Sequence, residues 1–404
     1  MKKTDGGVCA AKGFKANAVH CGIRKNKEKK DLSLIVSDVK CSAASVYTLN
    51  LVKGAPIYVT KNNIKDGYAR AIICNSGNAN TCNDNGIEIA EQMCGLVEKY
   101  SDINKNDIIV ASTGVIGQKL SIVPIANGME ELVSGLGYNK SALATEGIMT
   151  TDTVLKEIAY SFNIDGKECK VGGIAKGSGM IHPNMATMLV FITTDINITP
   201  KMLQKALSCD VEDTFNMVSV DGDTSTNDMV SILANGLAGN KIIDSENENY
   251  KIFQQALYNV TSYLCKMIAK DGEGATKLLE CSAIGGKDKE TAKKVAKSVI
   301  TSSLLKAAMF GSDANWGRVL CAIGYSGADV DIQKIDVSFK SKNGLIDVCQ
   351  NGSGIDFSES VAKNVLSADE IEIIVKLNQG NSNAVAWGCD LTYDYVKING
   401  DYRT

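Results

Sequence analysis

The chain has 404 residues, 44% of them hydrophobic and 22% charged, with a formal net charge of −3. That length is well above what a stable core needs and indicates two or three domains. So small a net charge gives no electrostatic case for nucleic acid or anionic membrane, and the basic run Arg24 to Lys30 reads as a solvated turn. Met1 to Phe14 lacks the apolar core of a signal peptide, and no apolar run approaches the roughly eighteen residues of a membrane span; a cytoplasmic location is the expectation. The thirteen cysteines fall singly, with no Cys-x-x-Cys pair, so zinc and thioredoxin-like readings fail and reduced, mostly buried cysteines are expected.

In chain order, short β-rich runs alternate with amphipathic helices, which places the chain in the α/β class. Strands are predicted at Ser33 to Ser37 and Ala69 to Cys74, the second running into the turn-rich Asn75-Ser-Gly-Asn-Ala-Asn80. Ile87 to Lys99 has helical spacing through Ile89, Met93, Leu96 and Val97. Asp107 to Ala111 is predicted as a strand ending in Ser112-Thr-Gly114, and Met188 to Thr193 as another. Thr199 and Pro200 look like the cap and first turn of a helix reaching about Val218. Tyr250 to Lys270 and Lys289 to Phe310 read as long helices; Val230 to Leu233, Ile371 to Val375 and Asp390 to Tyr395 read as strands.

The segment Lys176-Gly-Ser-Gly-Met-Ile-His-Pro-Asn-Met-Ala-Thr-Met-Leu189 carries the most chemistry. A polar, glycine-rich loop meets Ala186, then Thr187, then an apolar strand. Cleavage before Thr187 would make it an N-terminal nucleophile, whose α-amine, with a pKa of about 8, could serve as general base. A loop feeding a core strand is the plainer alternative. With only His20 and His182 in the chain, and no nucleophile-elbow sequence, a histidine-based site has little support, and His182 is expected to be a packed imidazole. Nucleotide-binding glycine motifs are absent. Asp221 to Asp228 fails as a calcium loop, because Thr226 stands at its sixth position and Ile232 at its twelfth. It reads instead as a hydrogen-bonded turn whose acids could border a site for a cationic substrate.

Five further places could carry chemistry. Thr113 and Gly114 lie at a strand end, where a hydroxyl and an N–H could stabilise an oxyanion. Thr150 to Thr153 is a polar cluster or a helix cap. Lys176 is either held near a carboxylate or solvated. Asp271-Gly-Glu-Gly-Ala-Thr276 is a helix-ending turn carrying Glu273. Asn399 to Thr404 ends the chain and would ordinarily fray.

Together these segments resemble the ornithine acetyltransferase family, also called glutamate N-acetyltransferase, of arginine biosynthesis. The likeness covers nearly the full length. It runs through Gly13-Phe14, Val19-His-Cys-Gly-Ile23, Asn75 to Asn80, Ser112-Thr-Gly-Val115, Met149-Thr-Thr-Asp-Thr153 and the Lys176 to Leu189 segment. It continues through Val220 to Met229, Asp271 to Lys277, Asp313-Ala-Asn-Trp-Gly-Arg318 and Asn399 to Thr404. Met185-Ala-Thr-Met-Leu189 is its most specific part.

The resemblance implies a layered α/β sandwich of sheets flanked by helices, similar to but topologically distinct from N-terminal nucleophile hydrolases. It implies self-cleavage between Ala186 and Thr187 into an α chain 1–186 and a β chain 187–404, assembled as a dimer of αβ units. Thr187 would accept the acetyl group of N-acetylornithine and pass it to glutamate in a ping-pong reaction, with Thr113 and Gly114 as the oxyanion hole. Substrate contacts carry over to Thr153, Lys176, Thr187, Glu273, Asn399 and Thr404, and no metal or other cofactor is implied. Some members also take acetyl from acetyl-CoA, and no motif here separates the two groups. A self-processing amidase or β-aminopeptidase would share the cleavage logic but use water as acceptor. A binding protein that keeps the fold would stay uncut.

Overall fold

The computed structural model describes residues 1–182 and 188–401. Sixteen strands are found among them. Ten occupy the first six-tenths of the chain: β1 (Lys2–Thr4), β2 (Phe14–Val19), β3 (Leu32–Tyr47), β4 (Tyr68–Asn75), β5 (Ile108–Ser112), β6 (Lys156–Ile164), β7 (Lys167–Lys176), β8 (Leu189–Thr194), β9 (Val218–Ser219) and β10 (Met229–Ala234). The rest are β11 (Leu278–Gly286), β12 (Asp336–Ser341), β13 (Gly344–Gln350), β14 (Ser353–Gly354), β15 (Glu370–Lys376) and β16 (Ser382–Cys389). The helices are α1 (Ala55–Asn63), α2 (Gly86–Tyr100), α3 (Ile122–Ser134), α4 (Ser141–Ile148), α5 (Pro200–Asp213) and α6 (Glu248–Lys270), then α7 (Lys289–Thr301), α8 (Ser303–Phe310), α9 (Trp316–Gly324), α10 (Glu359–Leu366) and α11 (Tyr393–Asp401). This is the mixed α/β class expected, with sheets flanked by helices.

Two compact units divide the chain: residues 1–177, 184–212 and 224–264 form one, residues 178–183, 213–223 and 265–404 the other. Unit one holds a nine-stranded sheet ordered β1-β6-β7-β8-β10-β3-β4-β5, with β2 also paired to β3. Period-two alternation in the inner strands buries both faces. Ile72 and Cys74 of β4 and Ile109 and Ala111 of β5 point into one core, which α4 supplies with Ala144 and Ile148. Ala71, Ile73, Ile108 and Val110 point into a second core with Ile89, Met93 and Val97 of α2 and Ile125, Met129 and Leu132 of α3. Unit two holds a seven-stranded sheet ordered β14-β13-β12-β15-β11-β16-β9, with α7 packed on β11 and β16. Among the described residues no helix is long and apolar enough to cross a membrane.

Four predicted elements differ. The strand expected at 33–37 is the start of the sixteen-residue β3, which bends between Val36 and Cys41, where its register with β4 shifts. Its exposed Val39 and Lys40 interrupt the apolar run that marks it. The helix expected to reach about Val218 ends at Asp213, because Val218 pairs instead with Trp387 in the second sheet. The helix expected over 289–310 is two, divided where the Ser302 side chain accepts from the Leu305 N–H at 3.3 Å and caps α8. Residues 390–395 are not a strand: β16 ends at Cys389 and α11 begins at Tyr393.

Candidate active site

In unit one the chemistry begins where β5 ends. The Thr113 N–H donates to the Asn75 carbonyl at 2.9 Å, and the Asn75 amide donates to Ser112 Oγ at 2.6 Å. Asn75 Oδ1 accepts from the N–H groups of Gly77 (3.3 Å) and Asn78 (3.1 Å), so one side chain holds two loops. With its N–H committed to backbone, Thr113 keeps its hydroxyl as the remaining polar donor at this turn. Gly114 sits at φ +128°, and a Cβ there would come within 2.7 Å of the Gly77 carbonyl carbon. Only glycine lets the turn lie this close to residues 77–78.

Lys176 ends β7 and pairs with Leu189, which pairs in turn with Met229, so the ends of β7, β8 and β10 line up. Lys176 is buried, and its Nζ lies 3.4 Å from Thr113 Oγ1. The solvated alternative for this lysine is therefore wrong. The fully buried Lys156 donates to the buried Asp152 at 2.7 Å, and Asp152 also accepts from the N–H groups of Gly177 (2.7 Å) and Thr150 (2.9 Å). Burial opposes ionisation of Asp152, but the charges of Lys156 and Lys176 and the Gly177 N–H hold it below the usual carboxylate range. Thr150 to Thr153 is thus no helix cap; it is a lead into β6 that carries this carboxylate, with Thr153 exposed beside it.

Asp228, immediately before β10, completes the cluster. It is buried, one of its carboxyl oxygens has no hydrogen-bond partner, and burial pushes it well above the carboxylate range against the pull of Lys176. Burial lowers Lys176 in turn, opposed by Asp152 and Asp228. Asp152 is thus held as the carboxylate beside Lys156, while burial biases Asp228 toward its neutral acid, and charge interactions among these buried groups are stronger than in water.

In unit two, Glu273 sits in the turn after α6. Its N–H donates to the Ser178 carbonyl at 2.8 Å, and its carboxylate accepts from the Asn399 amide of α11 at 2.9 Å. Thr392 Oγ1 donates to the Gly274 carbonyl at 2.7 Å, tying the start of the same helix to the same turn. The chain is helical as far as Asp401, not frayed from Asn399 on. The Asp221 carboxylate accepts from the N–H groups of Met180 (2.6 Å) and Ile181 (2.8 Å), confirming a hydrogen-bonded turn; among the described residues no group of three metal-ligating side chains occurs. His182 Nδ1 lies 3.1 Å from Ser219 Oγ, and burial, with Lys297 nearby, pushes its pKa down to about 4. It is neutral and packed, as expected.

The structure thus joins Thr113 to Lys176 and Glu273 to Asn399. Ala186, Thr187 and Thr404 lie outside the described residues. Asn75, Asp152, Lys156 and Asp228 were not singled out in the sequence. Asn75, Asp152 and Asp228 stand in quoted motifs and Lys156 in none; the available signal for the first three was a density of Asn and Asp around strand ends, where side chains must replace the missing ladder partners.

A hydroxyl-bearing strand-end turn beside a buried lysine offers hydrogen-bond donors of the kind that can stabilise an oxyanion. The comparisons give the family. Residues 15–404 match the ArgJ family, to which the chain belongs. It is 52% identical to an arginine biosynthesis bifunctional protein of Clostridium acetobutylicum, over 97% of this chain and 96% of that one. Identity is 48% to the corresponding Caldanaerobacter subterraneus protein, over the whole of both. A solved structure of the Bacillus halodurans protein is 47% identical, with a TM-score of 0.50, over 52% of this chain and 98% of that one. The chain is accordingly an acetyltransferase of arginine biosynthesis.

Proposed function

We propose that the protein cleaves itself between Ala186 and Thr187 and that Thr187 then carries acetyl from N-acetylornithine to glutamate. The Thr187 hydroxyl attacks the acetyl carbonyl while its own α-amine takes the proton. That proton goes to the departing nitrogen, ornithine leaves, and the acetyl group stays as an ester on Thr187. The glutamate amine attacks the ester, and N-acetylglutamate departs as the hydroxyl regains its proton. Thr113, through its hydroxyl, and Gly114, through its N–H, stabilise the oxyanion of both steps.

The observation that carries this reading is the approach of Thr113 to Lys176 across sixty-three residues of chain. It puts the expected oxyanion donor beside the strand end whose partner, β8, begins two residues after Thr187. Lys176 suits a substrate carboxylate and Glu273 the ammonium of ornithine, with Thr153, Asn399 and Thr404 as further contacts. Cleavage draws support from the Bacillus halodurans chain, which is matched over nearly all its length yet covers about half of this one, close to the share of 187–404. We also take the enzyme to be cytoplasmic, free of metal or cofactor, and a dimer of αβ units. Acetyl-CoA is a second donor to be tested alongside, since the similar proteins are called bifunctional.

The test is release of ornithine from N-acetylornithine with and without glutamate. Transfer predicts release that depends on glutamate and equals the N-acetylglutamate formed. Release at the same rate without glutamate would replace transfer by the amidase reading.

A further inference from the structure

Asn227 lies just before Asp228 and is buried. Its Nδ2 donates to the carbonyls of Ala79 at 2.5 Å and Ser112 at 2.9 Å. Its Oδ1 accepts from the hydroxyls of Thr81 and Thr226, both at 2.6 Å. The amide is thus fully used, and its orientation is chemically determined: two carbonyls need the NH2 end and two hydroxyls face the oxygen. Space is reserved for it, because a Cβ on Gly54 would stand 2.5 Å from Nδ2.

The two carbonyls it holds matter most. Ser112 is the residue before Thr113, and Ala79 closes the loop against which Gly114 is packed. That loop is already laced to the turn, since the Ala79 N–H donates to the Val115 carbonyl at 2.9 Å and the Gly117 N–H to the Thr81 carbonyl at 3.0 Å. Asn75 fixes the turn from one side; Asn227, arriving from the segment that leads into β10, fixes it from the other. An oxyanion hole works by holding its donors before charge develops, so a fraction of an ångström at Ser112 is felt at Thr113 and Gly114.

We propose that Asn227 is a positioning residue for acyl transfer, clamping the Ser112 and Ala79 carbonyls so that the Thr113 hydroxyl and Gly114 N–H stay aimed at the oxyanion. It touches neither substrate nor reacting atoms. The inference rests on the reading of Thr113 and Gly114 as oxyanion donors, and the test separates the two.

Asn227→Asp keeps the volume but turns two donors into acceptors facing two carbonyls; Asn227→Ala removes the clamp without repulsion. Each is compared with Thr113→Ala and with the double variant Thr113→Ala/Asn227→Asp, with kcat referred to the fraction of chain cut before Thr187. Expected is a loss of about a hundredfold in kcat for Asn227→Asp, with KM for N-acetylornithine within about threefold, because the donors act in the transition state. The double variant should fall well short of the product of the single losses, because both changes act through one turn. A folded Asn227→Asp enzyme with wild-type kcat overturns the proposal while leaving the oxyanion reading intact, provided Thr113→Ala is slow. Fully multiplicative losses would mean that Asn227 acts independently of the Thr113 turn, and failure of both Asn227 variants to fold would make it a stability residue; either result overturns the proposal. A wild-type rate in Thr113→Ala would instead overturn the oxyanion reading itself.

Discussion

The groups around Thr113 and those around Glu273 are built on opposite plans. Lys156, Lys176, Asp152 and Asp228 are buried, and Thr113 is pinned through its backbone at a strand end. Glu273 is half-buried and Asn399 exposed, joined by one hydrogen bond between a turn and a helix near the end of the chain. Groups that stabilise a developing charge gain from dehydration and must not reorganise. On the proposed reading Glu273 and Asn399 meet a soluble, charged amino acid and must exchange water for ligand at every turnover. The proposed transfer would draw on rigidity around Thr113 and on access around Glu273.

The largest effect tests what the buried region serves. Thr187→Ala removes the hydroxyl proposed as nucleophile, and acetyl transfer should vanish; ornithine release at even a tenth of the wild-type rate would detach the cluster from the proposed chemistry. Next is the cost of burial. Asp152→Ala takes the carboxylate away from the buried Lys156 and from the Gly177 N–H, so unfolding by denaturant should show a loss of about 3–5 kcal/mol. A loss below about 1 kcal/mol would mean that Lys156 escapes to water, and the contrast between the two regions would blur.

Glu273→Gln probes the accessible side. Being half-buried, it should change stability by only about 0.5 kcal/mol. The KM for N-acetylornithine should rise about tenfold with kcat little altered, the signature of lost uniform binding. Unchanged KM would leave the ornithine ammonium to another partner. The smallest effect is a pH limb. His182 has a folded pKa of about 4, below the 6.5 of the free imidazole. The unfolded chain therefore binds the extra proton first. The stability contribution is full above pH 6.5 and is lost as pH falls toward 4. Thermal unfolding of His182→Asn, which cannot titrate, should show a shallower loss over that range; identical slopes would contradict a half-buried, neutral His182.

What the sequence made legible follows the same division. Short, mostly apolar runs such as Ala69 to Cys74, buried on both faces, and the helical spacing of α2 announce themselves in the sequence. Thr113, Lys176 and Glu273 were recognisable through motif resemblance. The join between Lys176 and Thr113 was not, because it depends on the sheet order that sets β7 beside β8 and β10. Tertiary pairing also decided the misread ends: Val218 leaves its helix for a partner strand, and Ser302 interrupts an apolar periodicity that continues across it. Asn227 was least legible of all. A fully bonded amide leaves no periodic trace, only an Asn in a polar stretch.

Intact mass measurement of the purified protein beside Thr187→Ala, under denaturing conditions, tests the central claim most directly. The account predicts two wild-type species, residues 1–186 and 187–404, whose masses add to the 43.0 kDa precursor plus one water, and a single uncut species for the variant. An uncut wild-type chain that still transfers acetyl to glutamate would contradict it, because Thr187 could then be no N-terminal nucleophile.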